Sequence, residues 1–333
     1  MRAASLSLVA LFGSAAFSHV ERAGAKEGVH RRQLEAEARH RATRNCAPAI
    51  RAFHHKRRQA RNVAEEFLGL DELPDKAIDE PHDKSGGIHN NTCVLTPETT
   101  EGPYYVRNEL VRRDIRQGQP GVPLTLNIGV LDISTCKPLS RAFVEIWHSN
   151  STGFYSGYTG YTLPFEGNDT TPPPIPTDDT FLTPPMTDEL NFLRGGWPTD
   201  KEGVVEFQSI YPGFYNSRTV HIHAAVQTNW TKARNGTIES TAGNLLHIGQ
   251  IYFDDAVTDK VVVTKAYLNT TQRRLHNSED ILFPDQNSGG YNALAETYQL
   301  GAKIEEGILT YITIGVDPAA RYSFSSPNYW TPD

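Results

Sequence analysis

From about Cys93 onward the chain is written in short runs of β-forming residues separated by turns, and that pattern limits the fold more than any other feature. The runs are "LTLNIGVLDIS", "AFVEIWHSN", "GVVEFQSIYP", "TVHIHAAVQTN", "LLHIGQIYFDD", "KVVVTKAYL" and "ILTYITIGVD". They are rich in Val, Ile, Thr and Tyr, which fit a pleated, half-buried surface, and Gly, Pro, Asn and Asp close each one before the next begins. Helical periodicity is scarce here, and "YNALAETYQL" is at most a short helix. The expected fold class is all-β: a β-sandwich core with long loops, preceded by a basic helical N-terminal arm. A hydrophobic content of 38% supplies a core.

The sandwich domain is expected over residues 93–320, with 321–333 as a C-terminal tail. Residues 1–18 read as a signal peptide: Arg2 gives the positive start, and the apolar "LSLVALFGSAAF" is too short to span a bilayer. No later run is long and apolar enough to be a membrane span. Residues 19–70 form the basic arm, with twelve Lys/Arg against four Asp/Glu between His19 and Asn62. It reads first as a solvated helix; a propeptide, a dimer-forming helix and an anchor for acidic polymers are the alternatives. Residues 71–92 read as a polar linker. A net charge of −7 gives no support to a nucleic-acid partner.

Export implies an oxidising environment and glycosylation. Six sequons are present, at Asn90, Asn150, Asn168, Asn229, Asn235 and Asn269. Two of the three cysteines should pair; Cys93 with Cys136 is the expected bond, because both flank strand segments, and Cys46 is left free or joined to another chain. The segment Leu163–Pro185 holds seven prolines and is neither strand nor helix interior.

The stretch "NSRTVHIHAAV" carries the chemistry. Strand side chains alternate, so His221 and His223 share one face, with Arg218 upstream. Paired imidazoles suit zinc with a third nitrogen, sulfur or carboxylate ligand, ferrous iron with a carboxylate, or ferric iron with phenolates. Two tyrosines have suggestive settings: Tyr215 on a Pro-Gly turn six residues before His221, and Tyr155 after a strand and a glycine turn.

Taken together, "TPETTEGPYY", "VEIWHSNSTGFYS", "FLRGGWPTDKEGVVEFQSIYPGFYNSRTVHIHAAV" and "GQIYF" resemble the intradiol ring-cleavage dioxygenases, and among them the secreted fungal proteins. The resemblance covers roughly Cys93 to Asp317. It implies a β-sandwich and a non-haem Fe(III) held by Tyr155, Tyr215, His221 and His223. It implies a catechol-type phenol and O2 as small-molecule substrates, with the ring opened between its two hydroxyl-bearing carbons to give a muconate. Tyr215 is the phenol implied to leave the metal and accept a substrate proton, while Tyr155 stays bound. Arg218 is implied to stabilise negative charge on the ring, and Gln250 to lie near the substrate. Trp147 and His148 are read as structural, His247 as lying behind the site or at the surface, and Tyr104 and Tyr105 as bordering the pocket. Asn150 is expected to carry no glycan, since one would crowd Tyr155. No dinucleotide-binding glycine signature is present. A non-catalytic sandwich binding phenolic or carbohydrate polymers and a zinc hydrolase using His-x-His are the competing readings.

Overall fold

The two faces of each strand explain the architecture. In β1 (Pro123–Asp132), Leu124, Leu126, Ile128 and Val130 point into one buried cluster. In β6 (His221–Thr228), Ile222, Ala224 and Val226 point into the same cluster. The computed structural model describes residues 45–67, 99–161, 183–287 and 291–331. Within them, β1 pairs antiparallel with β2 (Lys137–Pro138) and β5 (Val204–Ile210), and parallel with β9 (Ile308–Val316), which carries β8 (Glu296–Gln299) at its far edge. The second sheet runs β4 (Arg194–Pro198), β3 (Phe143–Trp147), β6, β7 (Asn244–Tyr252). Val144 and Ile146 of β3 meet Leu126, Ile128 and Ile312 of the opposite sheet, so this is the expected sandwich.

Two elements differ from expectation. The run containing "KVVV" is a helix, α2 (Asp255–Val262), not a strand. Asp254 caps it by accepting from the Ala256 N–H at 2.7 Å, and Val257 and Val261, four apart, share a buried face. A capped start and one tertiary face outweigh the β preference of a valine run. "YNALAETYQL" is not a helix: its Glu296–Gln299 stretch is β8, antiparallel to β9, with Tyr298 buried.

Where it is described, the basic arm is docked along one face and exposed along the other. Helix α1 (Ala47–Phe67) lies on the outer face of the first sheet, with Ile50 and Phe53 packed near Leu131. Gly129 makes the approach possible: a Cβ there would sit 2.5 Å from Phe53 Cε1 and 2.8 Å from Arg57 Nη1. Arg57 is buried and donates to Asn127 Oδ1 (3.0 Å), the Ile312 carbonyl (3.1 Å) and Thr313 Oγ1 (2.9 Å). Arg61 pairs with Glu206 at 2.8 Å, Lys56 with Glu202 at 2.5 Å, and His54 with Glu296 at 2.9 Å. Within the described part of the arm, Arg61 and Lys56 thus meet acids of β5 and of the turn before it. The disulfide follows the helix: Cys46 bonds to Cys136, with Cα atoms 5.1 Å apart, in place of the expected Cys93–Cys136 pair. Cys93 lies outside the described residues, as do the signal peptide, the linker and most of the proline-rich segment.

The C-terminal stretch is no loose tail. Glu101 accepts from the Ser325 and Ser326 N–H groups at 2.9 and 2.6 Å, and Phe324 stacks on Tyr105 at 4.0 Å. Asn328 donates to the Tyr158 hydroxyl at 2.9 Å. Among the described residues, no helix is long and apolar enough to cross a membrane.

Candidate active site

The face of β6 turned away from the sandwich core carries His221 and His223, as the alternation predicts. Strand register sets their neighbours: His223 lies between Trp147 of β3 and Gln250 of β7, and Arg194 of β4 follows Trp147 in the same row. Trp147 stacks flat on the His223 ring, centroids 5.0 Å apart and planes 5° apart. Gly102 closes over the other side: with φ +73, it leaves no Cβ, which would lie 2.9 Å from His223 Cε1. Loops cover the row with a buried aromatic cluster that includes Tyr104, Tyr105, Tyr155, Tyr158 and Tyr215.

The four expected ligands converge. His221 Nε2 lies 3.2 Å from His223 Nε2 and 3.2 Å from the Tyr215 hydroxyl. The Tyr155 and Tyr215 rings meet edge to face at 5.5 Å, and Tyr155 meets the His223 ring at 6.2 Å. All four residues are buried, at 3% exposure or less. Tyr155 arrives on the turn after β3, which Asn150 builds by accepting from Thr152 N and Phe154 N, both at 3.1 Å. Asn150 Nδ2 also donates to Gln119 at 3.4 Å, so this sequon's amide is occupied in the fold. Tyr215 arrives on the Pro-Gly turn before β6, where its carbonyl accepts from Arg218 N at 3.3 Å.

The donor set fits a hard cation. His221 Nδ1 lies 2.6 Å from the Thr219 carbonyl, which can only accept, so Nδ1 carries the proton and Nε2 presents a lone pair to the cluster. Burial, reinforced by the Arg218 charge, lowers the His221 pKa to about 3, so the imidazole is neutral. Burial pushes both phenols up, Tyr155 well above the ordinary tyrosine value. The Tyr155 hydroxyl is buried without a well-formed hydrogen bond. Two phenols and two imidazoles aimed at one place form a donor set for a hard cation, and the buried Tyr155 hydroxyl is costly unless such a cation takes its lone pair. Among the described residues no trio of His, Cys, Asp and Glu gathers, so a zinc or ferrous site built on a third ligand of those types finds no support there.

Arg218 lies buried beside the cluster. Its Nε donates to Asp280 Oδ2 at 2.8 Å, and Nη2 donates to Gln250 Oε1 at 2.5 Å and the Tyr252 hydroxyl at 3.1 Å. Burial alone would raise the Asp280 carboxyl, but the guanidinium overrides it and holds the pKa at about 2. Gln250 Nε2 reaches the Thr100 carbonyl at 3.3 Å, so Gln250 joins Arg218 to the loop over the site. Sequence reasoning missed Asp280: it sits in "NSEDILF", 62 residues from Arg218, with no motif to mark it. It also gave Arg194 no role, although a lone arginine opening a buried strand was a usable signal.

The remaining aromatic and histidine assignments sort clearly. Tyr104 stacks on Tyr155 at 4.6 Å, and Tyr105 packs on Trp147 at 4.8 Å. His148 is structural: its ring nitrogens lie 2.8 Å from the Ser149 carbonyl and 2.7 Å from Ser209 Oγ. His247 is buried in β7, not at the surface.

No family model matches the chain. A catechol 1,2-dioxygenase of Acinetobacter baylyi is 32% identical over 169 residues, 49% of this chain and 50% of that protein. Catechol 1,2-dioxygenase 1 of Acinetobacter lwoffii is 27% identical over 186 residues, 48% of this chain and 50% of that protein. The chain thus spans about half the length of the curated relatives it matches. An intradiol ring-cleavage dioxygenase of Tetranychus urticae superposes with a TM-score of 0.54 at 28% identity, over 72% of this chain and all of that one. By sequence and by fold, the chain is similar to intradiol ring-cleavage dioxygenases.

Proposed function

We propose that the chain is an intradiol dioxygenase that opens catechol-type rings between the two hydroxyl-bearing carbons, adding both atoms of O2 to give a muconate. Tyr155, Tyr215, His221 and His223 would hold a non-haem ferric ion. The observation that carries this reading is the convergence of two phenols and two imidazoles, with His221 Nε2 at 3.2 Å from both Tyr215 and His223. When bound, ferric iron acts as a Lewis acid that makes the adjacent hydroxyls of a catechol acidic.

The chain's own groups do the rest. The Thr219 carbonyl fixes which nitrogen of His221 faces the site. Trp147 and Gly102 fix the His223 ring from its two sides. Tyr215, as the phenolate that the ion would stabilise, would take a catechol proton at its oxygen, and burial, which raises its pKa, favours the neutral phenol that results. Arg218 holds a permanent positive charge beside the place where the ring becomes anionic, and Asp280 and Gln250 keep that guanidinium from turning away. Aromatic packing by Tyr104, Tyr105 and Tyr158 excludes water.

The reading includes export. The N-terminal apolar stretch supports it, and so does a Cys46–Cys136 disulfide, which persists in oxidising compartments. The test of the activity is oxygen uptake by iron-loaded protein with catechol and substituted catechols, with products identified by mass and absorbance. One O2 consumed per muconate formed is expected. Cleavage beside the diol, or no uptake by protein that has bound iron, would overturn the reading.

A further inference from the structure

After Tyr215, the Asn216 N–H donates to Gln272 Oε1 at 3.2 Å. Ser156, which follows Tyr155, is held by a charge. Arg194 Nε donates to the Ser156 hydroxyl at 2.8 Å and to its carbonyl at 3.1 Å, and Nη2 donates to the same carbonyl at 2.6 Å. The guanidinium carbon lies 5.7 Å from the Tyr155 ring centre and 5.7 Å from that of Tyr158. The Ser156 hydroxyl in turn donates to the Phe192 carbonyl at 2.7 Å, so the grip runs back into the turn that leads to Arg194.

Arg194 is 1% exposed, and its nearest carboxylate, Glu109, is 3.6 Å from Nη1 and equally buried. A buried guanidinium so loosely paired is expensive, and its donors must be used to keep it there. The backbone is bent to present it: Leu193 takes φ 56, a left-handed conformation that residues with side chains adopt at a cost. Arg112 braces the position from outside, donating to the Arg194 carbonyl at 3.0 and 2.8 Å. Arg194 also lies in register with Trp147, which stacks on His223.

We propose that Arg194 is the positioning residue that fixes Tyr155 as the permanent phenol ligand, by clamping the main chain at Ser156. It rests on Tyr155 being an iron ligand, the reading given above. The clamp falls on the phenol that stays bound. An arginine is required because one planar fork bonds hydroxyl and carbonyl together, which a lysine's point charge does not do.

The test compares wild type, Arg194→Lys, Tyr155→Phe and the double variant. It reads ferric affinity by chelator competition, the visible absorption band of the iron-loaded proteins, and the unfolding temperature of the metal-free proteins. Arg194→Lys should lower ferric affinity by about tenfold or more and shift the band, as loss of a ligand-orienting partner does. Its metal-free unfolding temperature should stay within a few degrees of wild type. In the Tyr155→Phe background the same change should alter ferric affinity by less than about twofold, because the clamped ligand is gone. An equal loss in both backgrounds overturns the proposal, and so does a Lys variant that does not fold or one that leaves the band and affinity untouched. A wild-type protein that stays colourless with ferric iron overturns the metal reading itself, which separates the two failures.

Discussion

Replacing Asp280 with Ala should cost about 3–5 kcal/mol of folding stability, the loss expected when one partner of a buried ion pair is removed. Asp280 accepts from Arg218 Nε (2.8 Å), Thr219 N (2.8 Å), Leu282 N (2.8 Å) and Phe283 N (2.9 Å), so its removal strands a buried guanidinium and three backbone donors. Against a typical domain stability of about 5–15 kcal/mol, that leaves the variant marginal. Activity should fall with it, since Arg218 loses its orientation. The same pair gives wild type a pH signature. The Asp280 pKa is depressed from 3.8 to about 2, so its contribution is fully present above the unfolded value. The contribution is lost as pH falls from about 4 to about 2, and the Ala variant should lack this part of the acid dependence. Urea unfolding at several pH values reads both effects. A loss below about 1 kcal/mol at neutral pH would show that Arg218 finds other partners.

The second large effect belongs to the disulfide. Cys46–Cys136 closes a loop with a sequence separation of 90 residues. Loop-closure entropy assigns such a crosslink about 4–5 kcal/mol through restriction of the unfolded chain. The Cys46→Ala, Cys136→Ala double variant should therefore unfold at a markedly lower urea midpoint. Helix α1 should fray first, because its remaining ties include only the packing of Ile50 and Phe53, the Arg57 donors and polar contacts with Glu202, Glu206 and Glu296. Limited proteolysis near Arg51 then gives a local readout beside the global one. An unchanged midpoint on removing both cysteines would show that packing of Ile50 and Phe53 alone seats the helix.

What the sequence made legible was local. Alternation in "TVHIHAAV" placed His221 and His223 on one face, and β1, β3, β5, β6, β7 and β9 follow from their branched and aromatic residues. The motif resemblance carried Tyr155, Tyr215 and Arg218 to the same place. What was not legible depends on contacts distant in the chain. The valine run of α2 reads as a strand until Asp254 caps it and Val257 and Val261 find the core. The arm reads as solvated until its basic residues meet acids contributed by β5 and β8. The cysteine pairing went wrong for the same reason, because only a docked helix brings Cys46 to Cys136. Asp280 had no pattern to announce it; its role exists only once Arg218 is buried within reach.

The central claim is that four buried side chains share one ferric ion. The direct measurement is a visible-absorption titration of the metal-free protein with ferric iron, anaerobic and without substrate, for wild type and Tyr215→Phe. The account predicts a red protein saturating at about one equivalent, because phenolate-to-iron charge transfer absorbs visible light, and a weakened, shifted band when Tyr215 is lost. A protein that remains colourless, or a band indifferent to Tyr215, would contradict it.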